Sequence, residues 1–424
     1  MARLKQALQL RQLAQSLAST NSDEALRPLL VFLALSTLQR ARPKLMAALR
    51  LSLGQAAVQW IEHPKLRLWT LLANPNLTVD DCSAALLSGL QQTQAWQAAL
   101  NVDQLHKNQL ASEFWNYSAR LNNEEELLKK LGNILSQKKH SKLFFWHHFD
   151  QLGFVPRSWQ AVLRSLQQRG WVVVVSSSGI REQDYEQLTQ DGCLISDRQN
   201  LGLCLGAYRD FCCLLSDQTT LRDRIHTLVL CNDSTLPIGG DKPFCDLMDS
   251  ISRDDISSKP TLSGLTDSVE TNSYHLQSYC LAVNHSLLIS EIWCDFWSMF
   301  DPRQDKDSLI QEGEIGLSQW LLQRKVKLDP AFSLGSVLLR APGIRSELNA
   351  HDMRSPKDIN LTLMAWKSLL KEGFPLIKKH LLLDPPHTLS GMVPLSELSD
   401  HLNGDDELMK GDLERLLKSR FIRS

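Results

Sequence analysis

The side chains best suited to chemistry stand directly after apolar runs. Thr227-Leu228-Val229-Leu230-Cys231 leads into Asn232-Asp233-Ser234, which puts one carboxylate between an amide and a hydroxyl at the carboxyl end of an expected strand. Hard oxygen ligands there could hold Mg²⁺ or Mn²⁺ across a diphosphate. The same trio also makes an ordinary Asx-turn. Asp197-Arg198-Gln199-Asn200-Leu201-Gly202 precedes Gly206-Ala207-Tyr208. Glycines four residues apart between a strand and a helix let backbone approach a phosphate or sugar, and Arg198 could offer diphosphate a planar cationic fork. A plain glycine-containing connection with a surface arginine has the same spelling.

Two further groups join these. On a strand, His275, Gln277 and Tyr279 would share one face, either gripping a sugar or lying beneath a loop. Glu314 stands at the expected start of an amphipathic helix, where a carboxylate can act as general base or simply complement the helix dipole. His147, His148 and Asp150 follow the apolar run Leu143–Trp146. No H-E-x-x-H, P-loop or G-x-S-x-G motif occurs, and no G-x-G-x-x-G follows a strand. Zincin, P-loop NTPase, α/β-hydrolase and dinucleotide-dependent oxidoreductase readings lose their main support.

The elements that must position these groups change character near residue 138. Residues 1–138 read as helical throughout, with Pro28, Pro43, Pro64 and Pro75 dividing the earlier part into short helices. The clearest helix carries Leu127, Leu128, Leu131, Ile134 and Leu135 on one stripe. Glu124, Glu125 and Glu126 fill its first turn, with Asn122 or Asn123 as cap. Then strands and helices alternate: strand 143–146, helix 157–168 stopped by Gly170, strand 171–175, a helix from 182, strand 193–196, a helix from 206 and strand 227–231. That order predicts an open, mostly parallel α/β sheet, in which ligands bind beyond the carboxyl ends of the strands. Residues 252–263 read as a loop, and helices are expected over 286–300, over 314–324 and through the C-terminal region. The resulting plan is a helical region over 1–138, an α/β domain over 139–345 and a helical extension over 346–424 that packs on it.

Composition bounds the partners. The chain has 424 residues, 43% apolar and 22% charged, with 46 Lys and Arg against 47 Asp and Glu. This is globular composition, without the net basic footprint of a nucleic-acid binder. The apolar run Leu29–Leu35 is too short for a bilayer core that needs about 20 residues. The opening residues suggest no signal peptide. Nine cysteines, none in a C-x-x-C pair, are expected to be reduced, cytoplasmic thiols.

Taken in order, the blocks His147-His148-Phe149-Asp150, Val175-Ser176-Ser177, Arg198-x-Asn200-x-Gly202-x-x-x-Gly206-Ala207-Tyr208, Asn232-Asp233-Ser234, Gly264-Leu265-Thr266-Asp267-Ser268, His275-Leu276-Gln277-Ser278-Tyr279 and Glu314-Ile315-Gly316-Leu317-Ser318 resemble the rhamnan synthesis F family. The closing segment Trp366-Lys367-x-Leu369-Leu370-x-x-Gly373-Phe374-Pro375-Leu376-Ile377-Lys378 is similar too, so the likeness spans roughly 143–385. It implies a GT-A-like nucleotide-sugar transferase domain. The implied activity is inverting, rhamnosyltransferase-like transfer from dTDP-rhamnose or a similar donor to a lipid-linked glycan acceptor. The product would be a growing cell-surface polysaccharide, made in the cytoplasm at the inner face of the plasma membrane by peripheral contact. Within that picture Asn232-Asp233-Ser234 stands in the DxD-like place, with Asp233 meeting a divalent cation and Glu314 serving as base. Asp150, Ser176, Arg198, Asn200, Gly202, Asn232, His275 and Gln277 would bind the sugar nucleotide. The family commonly has Asp two residues after the glycine of its R-x-N-x-G block, and this chain has Cys204. That departure motivates the alternative of a non-catalytic, transferase-fold binding or assembly subunit of a polysaccharide-synthesis complex.

Overall fold

The computed structural model describes residues 123–138, 141–150, 153–198, 201–252, 259–270, 273–302, 306–340, 344, 359–383 and 407–421. The helices expected over 1–122 and the candidate residue Asn200 lie outside these. Among the described residues, two compact units are distinguishable. The larger takes in the described residues from 123 to 265, from 276 to 331 and from 375 to 421, and the smaller those from 266 to 275 and from 332 to 374.

The larger unit is built on β1 (Ser141–His148), β2 (Val172–Ser177), β3 (Leu194–Asp197) and β4 (Ile225–Asn232). These four are parallel and stand in the order β3-β2-β1-β4. Their apolar, β-branched interiors are what a sheet covered on both faces requires. The mixed α/β class with a parallel half is therefore as expected. β8 (Cys280–Asn284) then runs antiparallel to β4, and Leu262–Gly264 of β6 (Thr261–Ser268) runs antiparallel to β8. The short β7 (His275–Leu276) and β9 (Lys327–Phe332) complete an eight-stranded sheet. A separate ribbon pairs β5 (Thr235–Pro237) with β10 (Leu376–Lys378) in antiparallel register.

β1 is the centre of the packing. Phe144 meets the rings of Trp171 and Phe244 edge-on, and Phe145, one residue on and so on the opposite face, stacks on Phe211 at 4.3 Å. The helix Arg157–Gln168 buries Trp159, Val162, Leu163 and Leu166, and the Trp159 indole N–H donates to the Thr235 carbonyl. The helix Glu124–Ser136 buries Leu127, Leu131 and Leu135 at helical spacing. Asn123 stands at its N-cap, but its amide reaches the Ile195 carbonyl instead of the helix backbone, tying the helix to β3.

Several expected elements differ in extent. The third helix starts at Leu203, so Gly206 lies inside it. The helix expected over 286–300 is two helices, His285–Leu288 and Glu291–Met299, because the Ser290 hydroxyl accepts from Trp293 N–H and starts the second. Residues 261–263, read as loop, already belong to β6. The C-terminal region is not all helix, since it supplies β10.

In the smaller unit, the Asp267 carboxylate accepts the Leu334 N–H, and burial raises its pKa to about 6 against that bond and one from Tyr274. Asn360 donates to Glu270, and Phe332 packs edge-on against Phe374.

Candidate active site

β1 is followed by β2 and β3 on one side, and the chain then returns to lay β4 on the other side. The strand order therefore reverses between β1 and β4, and the crevice beyond their carboxyl ends is where α/β sheets of this kind seat a ligand. The residues delivered there are polar. In-register neighbours on parallel strands share a face, and Ser196, Ser176, His147 and Asn232 form one such row across β3, β2, β1 and β4. All four are buried. Among the described residues the hydroxyls of Ser176 and Ser196 and the Nδ1 of His147 have no hydrogen-bond partner. Buried polar atoms are nearly always paired, so three in one row make this row a candidate for a ligand or ordered water to complete.

The next row is closed. His148 Nε2 donates to the Phe154 carbonyl, leaving Nδ1 to accept from the Ser177 hydroxyl. Asp150 accepts the Phe154 N–H and holds that turn. Burial lowers the pKa of both histidines, that of His147 to about 3 with the Arg198 charge assisting, so both rings are neutral near pH 7.

The turn after β4 is an Asx-turn, with Ser234 N–H donating to Asn232 Oδ1. It aims Asp233 back at β1: its N–H donates to the His147 carbonyl, and its Oδ2 lies 3.0 Å from Lys379 Nζ and 3.4 Å from Phe149 N. Burial works to raise the Asp233 pKa, but Lys379 and the two neighbouring histidines together outweigh it, and the carboxyl stays below its usual range.

Glu314 lies in a π-helical turn, Leu309–Ile315, that runs directly into the α-helix Gly316–Gln323. The expected helix start is therefore displaced by an irregular turn of the kind frequent at functional sites. Gly313 lets the turn pack closely, because a Cβ there would fall 2.5 Å from Leu205 and 2.9 Å from the Phe300 ring. The Glu314 carboxylate accepts both the N–H and the hydroxyl of Ser278, and the Ser278 carbonyl accepts from the buried Tyr208 hydroxyl, which the Asn232 side chain also meets. A chain of contacts thus runs from the end of β4 to Glu314. Cys204 sits among these charges. Burial pushes its thiol up to about 11, with Glu314 and Asp233 adding to the shift and Lys378 opposing it.

The remaining sequence candidates divide. The Arg198 guanidinium is fully buried and bonded to Asp210 at 2.9 Å and to the Leu201 carbonyl, so its charge is balanced within the protein. Gly202 has φ +69°, and a Cβ there would fall 2.7 Å from Pro302, so its missing side chain serves packing. Gln277 is buried between β7 and β8. His275 belongs to the smaller unit, where its Nδ1 donates to the Ser273 carbonyl. His275, Gln277 and Tyr279 do not share a strand face, since β7 ends at Leu276 and residues 278–279 form a turn fixed by Glu314.

No protein-family model matches this chain. It is 28% identical over 269 residues to virulence protein VirA of Vibrio anguillarum, an alignment covering 59% of this chain and 80% of VirA. It is also 31% identical over 154 residues to the uncharacterized protein y4gN of Sinorhizobium fredii, covering 35% of this chain and 37% of that protein.

Sequence reasoning missed four members of the site: Tyr208 as a contributor, Ser278 as the group that orients Glu314, and the pair Lys378 and Lys379. The lysines gave a faint signal as two basic residues closing an apolar stretch. Among the described residues there is no group of three or more His, Cys, Asp or Glu that could hold a metal ion, and no helix long and apolar enough to cross a membrane.

Proposed function

We propose that this chain is an inverting glycosyltransferase of rhamnosyltransferase type, with a GT-A-like domain that moves a sugar from a nucleotide-sugar to a growing cell-surface polysaccharide. The observation that carries this reading is the incomplete polar row of Ser196, Ser176 and His147 at the strand-order reversal, linked through Asn232, Tyr208 and Ser278 to the oriented Glu314 carboxylate. The row offers hydroxyl and imidazole groups to a base or ribose. Glu314 offers an acceptor for the proton of the attacking sugar hydroxyl. The ordered blocks shared with the rhamnan synthesis F family support the same assignment, and a relative named for virulence accords with a product on the cell surface. The lipid-linked acceptor would be met at the inner face of the plasma membrane.

A screen of dTDP-, UDP- and GDP-sugars against the purified chain tests the reading, with thermal stabilisation reporting binding and released nucleoside diphosphate reporting turnover. At least one nucleotide-sugar should bind and be turned over. Failure of every one to bind would refute the assignment. Cys204, within the electrostatic reach of Glu314 and Asp233 and standing where the family commonly has Asp, favours a second reading, a binding subunit that retains the fold. Binding with no transfer and no donor hydrolysis would select it.

A further inference from the structure

The turn that ends β4 comes with its own cations. β10 pairs with β5 so that Lys378 stands opposite Thr235, and the Lys379 N–H donates to the Ser234 carbonyl at 2.9 Å. This pairing fixes two consecutive lysines beside the Asp233 turn. Lys379 Nζ is 3.0 Å from Asp233 Oδ2, with both side chains largely shielded from solvent. Lys378 Nζ lies 3.3 Å from Ser234 Oγ and 4.2 Å from the centre of the Tyr279 ring, a position an aromatic face favours for a cation.

The donor set does not suit a divalent cation. Asp233 is the single carboxylate of the turn, and its Oδ2 is already balanced by an ammonium group. A divalent ion bound to the same carboxylate would sit a few ångströms from that like charge, and among the described residues no group of three or more His, Cys, Asp or Glu could hold it. By contrast, two ammonium groups set against the single Asp233 carboxylate leave one net positive charge beside the Ser234 hydroxyl, an arrangement that suits an anion.

We propose that Lys378 and Lys379, and not a divalent cation, hold the diphosphate of the sugar nucleotide; this rests on the transferase reading given above. Asp233 keeps Lys379 extended in the free protein, and Ser234 and Tyr279 do the same for Lys378. In the reaction the acceptor hydroxyl oxygen forms its bond to the anomeric carbon while the bond from that carbon to the phosphate oxygen breaks. The electron pair leaves with the nucleoside diphosphate, whose growing negative charge meets the two ammonium groups, and the acceptor proton passes to Glu314.

The test is equilibrium binding of inorganic pyrophosphate and of dTDP to the full chain, in EDTA and again in excess Mg²⁺ or Mn²⁺. Both probes should bind with the same affinity in either medium. Lys378→Gln and Lys379→Gln should each weaken binding about 10- to 100-fold, as the loss of a charge-assisted contact implies. Lys378→Arg and Lys379→Arg should recover most of it, which a merely structural role would not require. Unchanged circular dichroism and Tm keep any loss attributable to the site. Binding that requires the metal, or Gln variants that bind as tightly as the parent, would overturn the proposal while leaving the transferase reading intact. Pyrophosphate binding in EDTA with no nucleotide-sugar bound would support the anion seat and count against the transferase.

Discussion

At the scale of single residues, the site combines groups held neutral with groups held charged, and burial decides which. His147 cannot accept a proton near neutrality because it is desolvated and faces Arg198. Its folded pKa, about 3, lies below the ordinary 6.5, so the unfolded chain binds the proton and the folded chain does not. Its contribution to stability is therefore complete above about pH 6.5 and declines as pH falls toward 3. His147→Gln removes that dependence. Between pH 7 and pH 5 the parent should lose about 2 kcal/mol more stability than the variant, read from urea midpoints. An equal loss in both proteins would show that His147 does not carry the dependence. As the base of the proposed transferase, Glu314 would have the opposite requirement, since a base must be a carboxylate aimed at its target. Glu314→Gln keeps the Ser278 contacts available and removes the basicity, so turnover should fall at least about 100-fold with nucleotide-sugar affinity nearly unchanged. Full activity in this variant would remove Glu314 from the mechanism.

At the scale of elements, distant segments finish what local sequence leaves open. The helix Arg157–Gln168 begins after Pro156 and has no side-chain cap of its own. Asp412, on the helix Glu407–Phe421, supplies it by accepting the N–H groups of Arg157 and Ser158 and the Ser158 hydroxyl at 2.6–2.8 Å. Burial raises the Asp412 pKa while these bonds oppose the shift. Asp412→Ala leaves those N–H groups unpaired and should cost about 1–3 kcal/mol. Amide exchange should quicken first at 157–160 and along the C-terminal helix; exchange that quickened uniformly would show that the cap does not act locally. The ribbon of β5 and β10 works in the same way. Each strand has three residues, too few to be read from a pattern, yet their pairing carries Lys378 and Lys379 to Asp233.

At the scale of the whole molecule, the larger unit depends on β1, which is packed on both faces and carries His147 at its end. Phe145 is fully buried between Phe211 and Tyr208. Phe145→Ala should lower stability by about 3–5 kcal/mol, measured by denaturant unfolding, because the cavity adds to the lost transfer energy. A cost below about 1 kcal/mol would mean that β1 is not the centre of the packing. Much of this architecture was legible beforehand. The helix Arg157–Gln168, stopped by Gly170, and the β-branched run of β2 were both placed from the sequence, because both signals depend only on neighbours in the chain. The polar ends of β1, β2 and β4 were legible as candidate site residues for the same reason. The partners of those residues were not. Arg198 is balanced by Asp210, Glu314 is oriented by Ser278, and Asp233 meets Lys379 from 146 positions away. Local patterning thus determined the class of fold and the end of the sheet where the candidate site lies. Only tertiary structure decided which charges there are already balanced and which polar atoms are left open, because burial and pairing depend on segments that chain order does not bring together.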